Sequence, residues 1–317
     1  MSYIYKAFGF MLNFIYSIVE NYGVAIILLT ILIKIILLPL TLKQQKSMTK
    51  TQKLQPKLQE VMEKFKYDKE RQSQETMKLY KEYGVNPMGG CLPLLIQFPI
   101  LIAFYQVIQK PVQYVLGYSG KQLTKLFAEY DISSKAAGAQ IELAKALKKL
   151  NFDFFGLDLS ATPWADVSAM FTKGITVVGL TALIIPALSC ITTFLSGKIS
   201  TMMNGKKKEE KEKEKKAPAR VLSPDQKKTA NENPGEGMAK GMTYFMPIMT
   251  LWLTFTFPAA LGLYWTVSNI LGLLQNILLN KYYNKKLTAE IMLKDEEKQK
   301  KIDEKMKKYN MKKRKRG

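Results

Sequence analysis

Hydrophobic positions in this chain are gathered into long runs nearly free of charge, and polar stretches dense in Lys, Arg, Asp and Glu separate them. Residues 23–42, GVAIILLTILIKIILLPLTL, carry one charge, Lys34. A helix of that length rises ~30 Å, the thickness of bilayer hydrocarbon, so the run predicts a first membrane span. The uncharged runs 91–109 and 174–195 predict a second span within 91–115 and a third within 172–195. From Gly241 to Asn280 no residue is charged. As one helix this stretch would reach about 60 Å, twice what a bilayer needs, so it predicts a fourth span over 241–257 and a fifth over 260–280. Pro258 and Gly262 are read as the turn between them. The predicted fold class is an all-α integral membrane protein with five transmembrane helices.

The intervening segments follow other patterns. In residues 1–22, Ser2, Lys6, Asn13, Ser17 and Glu20 share one helical face and apolar residues fill the rest. That arrangement predicts an amphipathic helix lying in the membrane interface, a sixth span being the competing reading. A cleaved signal peptide fits less well, because no basic start or small-residue cleavage site is present. Residues 43–90 carry one apolar stripe of Leu54, Leu58, Val61, Met62 and Phe65 and another of Met77, Leu79, Tyr80 and Tyr83. With Pro56 near the first helix start and Tyr67-Asp68-Lys69 between the stripes, a cytoplasmic helical hairpin is predicted. Residues 116–171 read as an extracellular loop with short helices. Residues 196–240 form a basic cytoplasmic loop, whose 205–237 portion has the composition of a solvated, disordered linker. Residues 281–317 are a basic cytoplasmic tail with 15 basic and 6 acidic residues.

Charge orients this arrangement. Segments 43–90, 196–240 and 281–317 hold 11, 12 and 15 of the 48 Lys and Arg, against 1 in 1–22 and 6 in 116–171. Cytoplasmic flanks of spans are enriched in Lys and Arg, so the N terminus is expected outside and the C terminus in the cytoplasm. Histidine is absent, which removes the commonest metal ligand and proton shuttle. The two cysteines, Cys91 and Cys190, lie in apolar runs and read as buried small residues, with neither a zinc site nor a disulfide framework indicated. No metal or cofactor is expected.

Lys34 demands a physical explanation. A charge in the middle of a span costs about 3 kcal/mol on insertion scales unless water or a partner reaches it. Thr30, Lys34 and Thr41 form a polar stripe on the first span, and Trp265, Ser268, Asn269, Gly272, Gln275 and Asn276 recur at helical spacing on the last. Gln97 adds a polar position to the second span, and Ser189, Thr192 and Thr193 add theirs to the third. With no carboxylate in any span, the stripes are expected to face a shared water-filled groove. The alternatives are that Lys34 snorkels to an interface and that the hydroxyls and amides only join helices.

Several stretches resemble the YidC/Oxa/Alb family of membrane protein insertases. They are PLTLKQQKSMTKTQKLQPKLQEV after Lys34, NPMGGCLPLLIQFPILIAFY from Asn86, FFGLDLSATP from Phe154 and FPAALGLYWTVSNILGLLQN from Phe257. The similarity covers roughly residues 1–285, and the length resembles the short bacterial form without a large outer domain. The resemblance implies a five-helix core around a hydrophilic groove open to the cytoplasm and to lipid. It places the family's groove cation at Lys34, where arginine is usual, its groove hydroxyl at Thr30 and its last-span aromatic at Trp265. Lysine lacks the planar donor fork of arginine, so bidentate contact with a client carboxylate is not carried over.

The implied function is to insert and help fold client proteins in the bacterial cytoplasmic membrane, alone or with a secretion translocon of the SecYEG type. No nucleotide is hydrolysed, and the chain contains no GxxxxGK[ST] phosphate loop. The implied partners are nascent membrane proteins. Lys312, Lys313, Arg314, Lys315 and Arg316 at the end of the tail are expected to contact ribosomes or anionic lipids. No small-molecule substrate and no enzymatic chemistry are expected. Two rivals remain at the level of sequence: a small-solute transporter or channel, and a structural assembly subunit.

Overall fold

A computed structural model of the protein describes residues 2–86, 92–205 and 234–314. The Gly89-Gly90 pair, Cys91, most of the expected linker, Lys315 and Arg316 lie outside the described residues. The chain is mostly helical and divides into two units. One comprises 1–38 and 94–274, the other 39–93 and 275–317.

In the first unit, α1 (Ser2–Val19) ends at Glu20, and Asn21 caps α2 (Tyr22–Ile36) by accepting the amide of Val24 at 3.1 Å. Helices α6 (Leu92–Gln109) and α7 (Pro111–Tyr114) follow, parted at Lys110 because Pro111 suits a helix start. The segment after α7 contains α8 (Gly120–Glu129), α9 (Ala139–Ala146) and a small hairpin of β1 (Asp153–Phe154) and β2 (Leu157–Asp158). The strands are antiparallel, with Asp153 opposite Asp158 and Phe154 opposite Leu157. Helix α10 (Pro163–Lys173) precedes α11 (Val177–Ala182) and α12 (Ile184–Gly205), and α13 (Pro234–Thr256) follows. The core of this unit joins Leu12 of α1, Tyr22, Ile26 and Leu29 of α2, Phe104 and Val107 of α6, Leu143 of α9, Leu159 and Tyr264. The rings of Phe104 and Tyr264 stack with centroids 3.9 Å apart.

Helix α1 has three faces. Gly9 and Leu12 are buried, with Phe8, Met11 and Ile15 packed beside them. Tyr3, Phe10, Phe14 and Ile18 form a second, exposed apolar row, and the polar residues form the third.

In the second unit, α3 (Leu38–Lys53), α4 (Gln55–Lys64) and α5 (Lys69–Tyr83) precede the C-terminal part of α14 (Ala259–Arg314). Asp68 caps α5 through the amide of Arg71, and Gly84 ends it in the left-handed conformation that glycine adopts without strain. Leu54, Leu58, Leu79, Tyr83, Val85 and Ile291 form a separate apolar cluster, with Val61 and Tyr80 against it. Met62 and Phe65 are half-buried, Pro56 is exposed at the first turn of α4, and Met77 is exposed. Met77 and Leu79 differ by about 200° around a helix, so one face cannot bury both.

Three features differ from the sequence reading. The first apolar run is not one straight helix: it breaks at Leu37, two residues before Pro39, whose ring and missing N–H oppose helix continuation. Gly262 lies inside α14, and the turn is made by Phe257 and Pro258 alone. The tail is not separate from the last apolar run, because α14 continues through Asn280 to Arg314. Among the described residues, one helical run, Val177–Ile199, is long and apolar enough to cross a membrane, or two if Tyr22–Ile36 and Leu38–Lys53 count as one broken span. Ile96–Gln109 and Phe245–Thr256 are apolar but shorter.

Candidate functional site

Helix α14 is where the polar side chains of the first unit meet. At about 100° per residue, Gly262, Trp265, Thr266, Asn269 and Gly272 share one face, with Tyr264 and Ser268 on its flank. Helix α12 supplies partners to the main face. The buried Ser189 hydroxyl donates to the Gly262 carbonyl at 3.0 Å and lies 2.8 Å from the Thr266 hydroxyl. Four residues on, the Thr193 hydroxyl accepts from Trp265 Nε1 at 3.2 Å and from Asn269 Nδ2 at 2.7 Å. Helix α6 supplies the flank, where Gln97 Nε2 donates to the Tyr264 hydroxyl at 2.7 Å and Ser268 bonds to the same hydroxyl.

Lys34 approaches this face from α2. A Cβ built on Gly272 would lie 3.8 Å from Lys34 Nζ, so the ammonium rests where glycine leaves α14 without a side chain. By helical position, Gly272 falls between the Ser268 flank and the Trp265 row. Among the described residues, Lys34 makes no ion pair and no hydrogen bond, and it is only partly exposed. It is a charge held between helices without a counter-charge, which is costly unless water reaches it.

The other predicted residues have different settings. Thr30, one turn before Lys34, is buried and donates to its own helix at the Ile26 carbonyl, 2.7 Å away. Thr192 donates to the Leu188 and Ser189 carbonyls of α12, which satisfies its hydroxyl locally. Thr41 belongs to the second unit, where Gln275 Nε2 donates to its hydroxyl at 2.6 Å. Lys34, Gln97, Ser189, Trp265, Ser268 and Asn269 are therefore gathered around one stretch of α14, while Thr30 and Thr192 bond to backbone carbonyls within their own helices. Tyr264 and Thr266 were not singled out by sequence reasoning, whereas Gly272 belongs to the predicted last-span stripe. Tyr264 sits four residues before Ser268, and that spacing was the available signal.

The second unit has its own polar set. Lys50 pairs with Glu290 at 2.8 Å, Lys298 with Glu82 at 2.8 Å, and Lys53 donates to Thr288 at 2.6 Å. Lys57, Tyr83 and Asp295 form a three-way contact in which the ammonium and the phenol both donate to the carboxylate. Burial raises the Asp295 carboxyl, but the bonds from Lys57 and Tyr83 outweigh it and hold the group below its usual range. Glu290 is held low chiefly by its bond from Lys50.

The sequence profile of the 60Kd inner membrane protein family matches residues 14–286, most of the chain. The chain belongs to the 60Kd inner membrane protein family. Among its relatives in this family, a protein of Mannheimia succiniciproducens named membrane protein insertase YidC is 37% identical over 287 residues, covering 90% of this chain and 38% of the relative. The like-named protein of Syntrophus aciditrophicus is 60% identical over 97 residues, 31% of this chain and 18% of that one. The one from Fusobacterium nucleatum is 53% identical over 116 residues, 35% of this chain and 57% of that one. The chain thus spans well under half the length of the Mannheimia relative. The matched region of the 60Kd inner membrane protein family contains both Lys34 and the α14 stretch that gathers the polar residues.

Proposed function

We propose that the chain is a membrane protein insertase and folding chaperone of the bacterial cytoplasmic membrane. It acts on nascent membrane proteins, alone or beside a SecYEG-type translocon, and hydrolyses no nucleotide. The observation that carries this reading is the Lys34 ammonium, without a partner among the described residues, against Gly272, within a chain of the 60Kd inner membrane protein family. Five spans with the N terminus outside put the basic segments on the cytoplasmic side, and the exposed apolar row of α1 suits an interfacial helix. The lone ammonium would be solvated by water entering a groove from the cytoplasm. A client's acidic outer segment, drawn toward a cation where the dielectric is low, would cross at reduced cost while its apolar segment leaves for lipid.

Burial of the client's apolar segment drives the process, and Lys34 lowers the barrier for its polar end. The basic end of the tail, from Lys312 to Arg316, would supply contact with ribosomes or anionic lipid by charge alone. The test is insertion of single-span clients into vesicles holding Lys34→Leu, Lys34→Glu or Lys34→Arg protein. The reading expects Lys34→Leu to lose insertion, Lys34→Arg to keep it, and Lys34→Glu to harm clients with acidic outer segments more than neutral ones. Undiminished insertion by Lys34→Leu would overturn the role of the cation.

A further inference from the structure

The hairpin of β1 and β2 carries a residue in a conformation that its type disfavours. Pairing of Phe154 with Leu157 leaves Phe155-Gly156 as a two-residue connection. Both have positive φ, 52° and 80°, as a type I′ turn requires. Asn or Asp followed by Gly is the favoured pair there, because a Cβ crowds the left-handed region. Phe155 accepts that strain with its ring 90% exposed. The ring stands edge-on to Phe154, centroids 4.8 Å apart, while Phe154 packs inward on Gly23, where an added Cβ would lie 2.3 Å from the ring.

The base of the hairpin is bound to three helix ends. Asn21 Nδ2 donates to the Asp153 carbonyl at 2.8 Å, and the Tyr22 amide donates to the Asn151 carbonyl at 3.0 Å, both at the start of α2. The Asn151 amide donates to the Tyr16 hydroxyl of α1 at 2.7 Å. The Ala259 and Ala260 amides, at the start of α14, donate to the Ala161 and Leu159 carbonyls at 2.9 Å each. The tip is therefore held at the level where two apolar helices begin. Phe171 and Ile175, 87% and 79% exposed, precede the membrane-length run Val177–Ile199.

We infer that Phe155 is a membrane-interface anchor, seated among the lipid headgroups and upper acyl chains of the outer leaflet, that pins the outer end of α2. The occupant is lipid because the tip lies level with the helix ends where hydrocarbon gives way to headgroups, the depth at which aromatic rings are favoured. In the same loop the exposed Lys148, and Lys149 beside the Tyr118 hydroxyl, suit the phosphates of that layer, Lys145 being paired with Asp158. A strained, exposed phenylalanine has no use in water, whereas lipid burial of the ring offsets the strain. This inference rests on the membrane topology proposed above.

The test is F155W in full-length protein whose three native tryptophans, Trp164, Trp252 and Trp265, are phenylalanine, reconstituted in phosphatidylcholine and phosphatidylglycerol vesicles. Emission is quenched by lipids brominated near the headgroup, by lipids brominated deep in the chain, or by aqueous iodide. I191W, at an exposed apolar site on α12, is the control for the topology itself. An interface anchor predicts quenching of about twofold or more by the shallow bromolipid, less by the deep one and little by iodide. Quenching by iodide alone would place the tip in water and overturn the inference, and quenching by neither would show it covered by protein, with the same result. If I191W resists bromolipid, the topology fails; if I191W is quenched and F155W is not, only the anchor fails.

Discussion

The α14 face of the first unit and the second unit handle charge in opposite ways, while Lys145 of α9 pairs with Asp158 of β2 elsewhere in the first unit. In the first, side-chain contacts on the α14 face are between neutral groups: Ser189 with Gly262 and Thr266, Thr193 with Trp265 and Asn269, Gln97 with Tyr264. The cation beside them, Lys34, has no partner among the described residues. In the second unit, Lys50, Lys57 and Lys298 each meet a carboxylate around an apolar seam of Leu54, Leu58, Leu79 and Ile291. Water makes ion pairs inexpensive and weak, whereas helices packed in lipid must satisfy polar groups internally and tolerate few charges. On the function proposed above, the unpaired Lys34 beside α14 is expected to act on clients, whereas the ion pairs of the second unit contribute to local structure.

The largest expected effect comes from removing the unpaired charge. Lys34→Leu should lower client insertion tenfold or more, about 1.4 kcal/mol of barrier, while raising stability in detergent, because an uncompensated buried charge costs stability. Measured melting temperature and insertion yield should move in opposite directions. If both fall, Lys34 is a packing residue and the contrast between the units dissolves.

Next in size is the neutral network. Thr193→Val keeps the shape of the side chain but deprives the Trp265 and Asn269 donors of their shared acceptor. Leaving a partly buried donor unsatisfied costs about 1–3 kcal/mol, so the detergent melting temperature should fall by several degrees. Ser189→Ala, which removes the donor to the Gly262 carbonyl, should cost about 1 kcal/mol. Equal stability of wild type and Thr193→Val would show that water replaces these bonds, and the α14 face would then be wet along its whole length.

How far the sequence could reach differs between these same features. Apolar runs and helical stripes were legible because periodicity reports which residues share a face, and the family was legible from contiguous motifs such as LLIQFPILIAFY. The break at Leu37 was signalled by Pro39, yet the hydrophobicity of the run overrode that signal. Continuation of α14 into the tail was obscured by charge, although Leu287 and Ile291, four apart and buried, carried the helical period onward. The polar stripes were legible as faces but not as contacts: spacing put Ser189 and Thr192 on one side of α12, and only the fold distinguishes the hydroxyl that reaches α14 from the one that turns to its own backbone. Sequence put Lys34 and the stripe of Gly272 on one groove, but that the ammonium meets Gly272 in particular could not be read from it, because that contact depends on how two distant helices pack.

The smallest effects belong to the ion pairs of the second unit, and pH and salt separate them from the rest. Asp295 is 40% exposed, so its pairing with Lys57 should contribute no more than about 1 kcal/mol, less at high salt. Asp295→Ala should raise amide hydrogen exchange in α4 and α5 by a factor of about 2–5, with no change in helices of the first unit. The sign of the pH effect follows from carboxyls held below their unfolded values. The contribution of Asp295 and Glu290 is present above the ordinary carboxylate range and lost as pH falls through their lowered folded values, below about 4. Lys57 has the opposite sense: burial lowers it, the bonds to Asp295 and Tyr83 raise it further, and its contribution is lost only as pH climbs past about 10.5. Exchange in α4 and α5 should therefore be flat from about pH 5 to 10 once corrected for intrinsic rates, then quicken at either end. If acid loosens the α12 and α14 contacts equally, carboxylates and not neutral contacts hold that face together, and the distinction between the two regions is lost.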